Sequence, residues 1–458
     1  MLRSVFLRGL AVIYLIAFAS LLPQISGLIG SNGILPAHDY LQNLQSDYGA
    51  SAYGLFPTLA WLNSSDAFLH LMVWAGIVLA VFLFIGLIPL PAAIGLYVLY
   101  LSIDSIGQVF YSFQWDALLL EVGFAAVLLT PPGFHPSYKS PPSRLAVWVF
   151  RFLLFRLMFE SGAVKLLSGD PTWRGLNALN YHYQTQPLPT PMAWYAHQLP
   201  SIVQKTSVLG VFLIELIAPF FFFAPRRPRV IAAWMAIGLQ LIIALTGNYT
   251  FFNLLTILLC LFLFDVKVAD RAPWNARFVA VVLVAVGFLQ LLTMFGIAPN
   301  PPEPLRSMDF RAETFHLVNR YGLFAVMTTS RKEIVIEGSD DGENWKAYEF
   351  KYKPGDVYRR LPWVAPYQPR LDWQMWFAAL SDVQANPWFQ QFVVCLLEGR
   401  PEVTSLFASN PFPNRPPRFI RGVAYDYRFT DWATRRKTGA IWSRTPAADY
   451  FRAVSLRK

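Results

Sequence analysis

Lys165 stands just before a polar, aromatic loop, GDPTWRGLNALNYHYQTQPLPTP, which carries Trp173, Arg174, His182, Tyr183, Gln184 and Gln186. A lysine acts as a base when burial or nearby positive charge depresses its pKa, and Arg174 is placed to supply that charge. His182 titrates near neutrality and suits a general acid or base. Each residue also has a plainer role. The lysine can snorkel to water or pair with a carboxylate, and a histidine among aromatics can simply hydrogen-bond. On a helix, Arg156 and Glu160 share one face and are spaced for an ion pair. Lys165 lies about 140° around from Glu160 and about 180° from Arg156. It points away from that pair, so its partner must come from another helix or from the following loop.

These residues belong to apolar stretches in which ionisable groups are costly and face a cavity or one another. The same stretches hold Asp104, Asp116, Glu121, Arg151 and Glu215. Asp104, Glu121 and Glu160 fall roughly 9–11 Å below the outer ends of their spans at 1.5 Å per residue, and Glu215 falls near mid-span. The pattern predicts a polar cavity opening outward. Its expected wall is Asp104, Asp116, Glu121, Arg156, Glu160 and Glu215 from the helices, the loop residues named above, and Asn248 and Asn253. Lys165 and His182 are the catalytic candidates.

The elements that must carry them are membrane spans. The chain has 458 residues, is 55% hydrophobic and only 14% charged. A bilayer core of ~30 Å needs ~20 mostly apolar helical residues. Nine stretches qualify, near 5–22, 68–88, 92–110, 115–130, 145–167, 206–224, 230–246, 251–264 and 278–297, the fourth and eighth being short. Lys and Arg mark the cytoplasmic side. With the N-terminus inside, the inner segments hold Arg3, Arg8, Lys139, Arg144, Arg226, Arg227, Arg229, Lys267, Arg271 and Arg277, against Arg174 and Lys205 outside. The first stretch lacks a small-residue cleavage site before Pro23 and reads as a retained span. The net charge of +10 is partly this bias, and the remainder suits anionic lipid or an acidic partner; no nucleic acid is implied. Cys260 and Cys395 fall at different levels and cannot easily meet. No spacing suggests a metal site.

Nine crossings put the rest of the chain outside. The expected organisation is a transmembrane domain over 1–297, a proline-rich linker at 298–304, and an extracytoplasmic domain over 305–458. In that domain EIVIEGS and WKAYEFKYKPG alternate as strands around Asp341-Gly342, a hairpin turn. The DDGE run does not fit a calcium loop. LDWQMWFAAL and PWFQQFVVCLLEG read as helices, RFIRGVAYDYRFTD as a further strand, and NPFPNRPPRFI as extended chain. The fold class is therefore a polytopic helical membrane domain followed by a mixed, β-rich domain.

Several blocks resemble the lipase maturation factor family: SFQWDALLLEVGFAAVLLTPP, FRLMFESGAVKLLSGDPTWRGLNALNYHYQTQPLPTP and GNYTFFNLLTILLCLFLFD, then YGLFAVMTTSRKEIVIEGSDDGENW, PWVAPYQPRLDWQMWFAAL and NPWFQQFVVCLLEG. The resemblance implies a polytopic protein with a luminal domain that assists maturation of an exported, lipase-like client. It implies the endoplasmic reticulum in a eukaryote or the inner membrane in a bacterium, and the short, disulfide-free tail fits a bacterial relative. A more distant likeness joins Ser161, Gly162, Lys165 and Trp173 to the membrane domain of vitamin K-dependent gamma-carboxylases. There a membrane lysine deprotonates a hydroquinone. That likeness implies a quinone-like or lipid ligand and a base at Lys165, but the tail does not resemble the carboxylase luminal domain, so no cofactor is assured.

Overall fold

In a computed structural model the described residues are 1–456 apart from Val266 and Arg271. Arg271, assigned above to the inner face, and the last two residues of the tail domain lie outside them. The chain folds into a helical region followed by a region built on a small antiparallel sheet.

Among the described residues six helices are long and apolar enough to cross a membrane. They include α1 (Leu2–Leu21), α2 (Asp66–Ile85) and α3 (Pro89–Ile106). Local chemistry sets their ends. The Ser65 hydroxyl accepts from the Phe68 N–H at the start of α2, and Gly86 ends it at φ 81°, a left-handed conformation that costs glycine nothing. Pro89 then opens α3, where its missing N–H leaves no bond unmade. Along α2, Leu71, Trp74 and Val78 face outward, an apolar surface suited to lipid.

The other three of the nine expected stretches differ in length or charge. Helix α4 (Gln114–Ala126) has 13 residues. Helix α5 (Arg144–Leu167) has 24 residues and is long enough, but it carries Arg151, Arg156, Glu160 and Lys165. A continuous helix then runs over Ser201–Phe223. It is α-helical as α6 (Ser201–Phe212), turns π-helical over Leu213–Ile217 and tightens to 3-10 over Ala218–Phe223. Pro219, which cannot donate a backbone hydrogen bond, lies just past the π turn. Helices α7 (Arg226–Thr246), α8 (Phe252–Cys260) and α9 (Trp274–Met294) follow. With its terminal 3-10 turn α8 still reaches only Leu263.

After α9, helix α10 (Glu303–Thr314) leads to β1 (Arg331–Ser339). The Asp341-Gly342 turn joins β1 to β2 (Lys346–Ala347), but the expected long second strand is split. Glu349–Phe350, here β3, leaves β1 and pairs with β4 (Phe407–Ser409). Phe350 thereby packs on Phe407. Between them run α11 (Arg370–Ala378) and α12 (Pro387–Glu398). Strand β5 (Phe419–Phe429) pairs antiparallel with β1 and with β6 (Trp442–Val454), giving the order β2-β1-β5-β6. Helix α11 touches β1 on one side and the 3-10 turn at Gln108–Phe110 on the other, so the sheet region rests directly on the helices.

Candidate functional site

The ion pair that Lys165 requires is made across a close helix crossing. Gly162 of α5 faces the π turn, and a Cβ there would lie 2.8 Å from Glu215 Cβ. The absence of a side chain brings the two backbones together, and Lys165 Nζ donates to Glu215 Oε2 at 2.7 Å. A second Nζ proton goes to the Ser161 carbonyl one turn back, at 2.9 Å. Both side chains are buried. The ammonium sits 5.3 Å from the Trp173 ring centroid, within cation–π range. Trp173 is held in turn by donating Nε1–H to the Phe324 carbonyl at 2.9 Å. Asp170 starts the short helix carrying Trp173 by accepting from the Thr172 and Trp173 N–H groups.

This pair lines a partly open cavity of about 110 Å³ bordered by α5, the π turn, α7, α8, the loop helix Leu179–Thr185 and Phe324. Roughly 10–15 Å³ suffices for one water, so the space has room for a molecular fragment. Leu157, Val211, Leu239, Ile243 and Phe252 make most of its wall apolar. Beside the ion pair, Asn253 Nδ2 donates to Gln240 Oε1 at 2.8 Å. Tyr249 OH donates to Gln186 Oε1 at 2.8 Å and lies 3.4 Å from His182 Nε2. Burial, aided by the nearby Lys165 charge, pulls His182 down to about 4. The imidazole is therefore neutral at physiological pH.

Arg151 donates to the Phe262 carbonyl at 2.9 Å, and the other charges of the helical region lie elsewhere and meet residues that follow α9. Arg156 donates to Glu121 at 3.0 Å, Glu160 at 3.1 Å and Gln290 at 2.7 Å, and also to the Asn319 carbonyl. Glu121 accepts from the Asn319 N–H and the Tyr321 hydroxyl, and Glu160 from the Tyr321 N–H, each at 2.8 Å. Asp116 receives two bonds from Arg370, at 3.0 and 2.9 Å, and one from Tyr100. Asp104 lies 3.1 Å from His316.

The loop residues divide in the same way. Trp173 and His182 reach the cavity. Tyr183 is buried behind the cavity, in an apolar cluster that also contains Trp173 and Leu179. Gln184 accepts from the Phe429 N–H, and Gln186 caps the Thr246 carbonyl. Arg174 bonds the Leu166 carbonyl from an exposed position. Asn248 bridges the Leu188 and Pro362 carbonyls to the Val364 and Ala365 N–H groups. Among the described residues no group of three or more His, Cys, Asp or Glu could hold a metal ion.

A family model described as the lipase maturation factor transmembrane domain matches residues 1–271, and one described as the lipase maturation factor C-terminal domain matches residues 317–452. The chain belongs to the lipase maturation factor family. Lipase maturation factor 2 of Gallus gallus is 36% identical, covering 99% of this chain and 81% of its own length. Lipase maturation factor 2 of Mus musculus is 35% identical, over 99% and 83%. Lipase maturation factor 1 of Homo sapiens is 33% identical, over 100% and 88%. No solved structure matches the chain. With these relatives and its six long apolar helices, the chain is a membrane protein.

In this lipase maturation factor relative, sequence reasoning missed several residues that complete the sites. Gln240 was visible as a polar residue within an apolar stretch. Tyr249 and Phe324 gave no signal, because an aromatic near a membrane stretch is ordinary. Arg370, His316 and Asn319 lie far along the chain from the carboxylates they meet, and no local spacing joins them.

Proposed function

We propose that this protein is a membrane-anchored maturation factor that helps exported, lipase-like proteins fold or assemble. The observation that carries the proposal is similarity along essentially the whole chain to proteins named for lipase maturation. The proposed arrangement has the N-terminus in the cytoplasm, nine crossings within residues 1–297, a linker at 298–304 and a client-handling domain over 305–458. That domain faces the periplasm, or the lumen of the endoplasmic reticulum. The basic bias of alternate loops supports this arrangement. So does α5, whose length fits a crossing and whose Arg156, Glu160 and Lys165 are all paired inside the protein. The test is to express the full chain in secretory cells lacking their own lipase maturation factor and assay secreted lipase. Restored specific activity supports the proposal; inactive lipase beside folded, inserted protein overturns it.

One observation favours a second reading, a membrane enzyme acting on a hydrophobic substrate or an exported protein. Lys165 Nζ lines an apolar cavity together with His182. Lys165→Met separates the two readings: a maturation factor that folds retains its effect on lipase, whereas a lysine-base enzyme loses nearly all turnover.

A further inference from the structure

We propose that the cavity beside Lys165 binds an uncharged membrane lipid whose head carries hydroxyl or carbonyl oxygen. Charge is the first constraint. Lys165 and Glu215 neutralise one another at 2.7 Å, and burial keeps the His182 imidazole neutral. A charged ligand head would add an unpaired charge to a buried site, which is strongly disfavoured.

Hydrogen bonding is the second. Nζ carries three protons, and two of them are committed. Glu215 uses Oε2 for the pair, leaving Oε1 without a protein donor among the described residues. The Asn253 amide gives one of its two N–H groups to Gln240, and its carbonyl likewise has no protein donor among them. Asn253 is only 3% exposed and lines the cavity. Unused donors on Lys165 and Asn253 and unused acceptors on Glu215 and Asn253 therefore face a pocket whose wall is mostly apolar. A hydroxyl can satisfy both kinds of group, and a carbonyl can take the lysine proton. Buried polar groups left unmatched are destabilising, so the arrangement favours a partner that supplies oxygen.

Access is the third. Val211 and Glu215 line the cavity from one helix, and Leu239 and Ile243 from the next. The same two helices turn Leu213, Ile242 and Leu245 outward as exposed apolar residues. A ligand dissolved in the bilayer can pass between them and leave its tail in contact with lipid. The cavity of about 110 Å³ then needs to hold only the head and the first carbons. A long-chain monoacylglycerol and a long-chain quinone share this chemistry.

The inference does not depend on the lipase proposal, since its readout is binding. Full-length protein in nanodiscs is irradiated with three diazirine-bearing probes: a monoacylglycerol, a long-chain benzoquinone and a fatty acid. Saturable labelling by either neutral probe is expected on peptides spanning Leu157–Lys165 or Leu239–Asn253, with competition by the same unlabelled lipid. The neutral probe that labels identifies the source of the head group. Leu239→Trp and Val211→Trp, which fill the cavity from opposite walls, should each reduce labelling about tenfold, equivalent to ~1.4 kcal/mol. Labelling that does not saturate in the unmodified protein overturns the proposal. So does equal labelling by the fatty acid, absence of labelling by both neutral probes, or labelling unchanged in a monodisperse Trp variant.

Discussion

Two groups of buried charge occupy the same helical region and are finished in opposite ways. Around Arg156, and again around Asp116, both carboxylates and guanidinium groups are enclosed by partners, many from the sheet region. At Lys165 the pair is closed on one side and opens into a cavity on the other. These clusters act as rivets between helices and sheet region, although Arg370 Nε is buried without a hydrogen-bond partner. The incomplete one retains hydrogen-bonding capacity for a ligand. A buried charge is thus not by itself a sign of a site; what counts is whether its unfilled valences face a cavity.

Substitutions that strand charge should separate the two groups, and the largest loss belongs to Arg156→Leu. It leaves Glu121 and Glu160 buried without their shared cation, and should cost about 5 kcal/mol, read as a fall in thermal unfolding temperature in detergent. Arg370→Leu strands one carboxylate, and Tyr100 still donates to it. About 3 kcal/mol is expected, with the segment around α11 becoming more sensitive to protease. Lys165→Met should cost less, about 2 kcal/mol, because Glu215 keeps access to the cavity; equal losses at Lys165 and Arg156 would erase the distinction between them.

The smallest effect is a pH dependence. Burial disfavours the charged form of His316, but the Asp104 carboxylate outweighs it and raises the imidazolium from the ordinary 6.5 to about 9. A raised pKa stabilises the fold fully below 6.5, and that stabilisation drains away as pH rises through 9. His316 keeps some contact with water, so about 1 kcal/mol is expected. His316→Gln should flatten the unfolding temperature across that range.

Local pattern made a good part of this legible. The direction of Lys165 away from Glu160 followed from helical geometry, and Glu215 on another helix is its partner. Leu371–Leu380 and Pro387–Gly399 were readable as helices from their apolar faces, and they form α11 and α12. The hairpin turn was readable from Asp341-Gly342, but the split of its second strand was not, since Phe350 leaves the first sheet to meet Phe407. Strand β6 was missed because most of its side chains are exposed, so no apolar alternation marks it. For Asp104, Asp116 and Glu121 the sequence showed only that partners were needed. His316, Arg370 and Asn319 are brought in by the fold, which no spacing encodes.

The proposed maturation role requires the sheet region to work on the non-cytoplasmic side of the membrane. Cys260 and Cys395 are both buried, so one added thiol on the exposed Ala433 can report its side alone. In sealed membranes of known orientation, Ala433→Cys should react with an impermeant maleimide offered from the extracytoplasmic face. Reaction only from the cytoplasmic face would contradict the account.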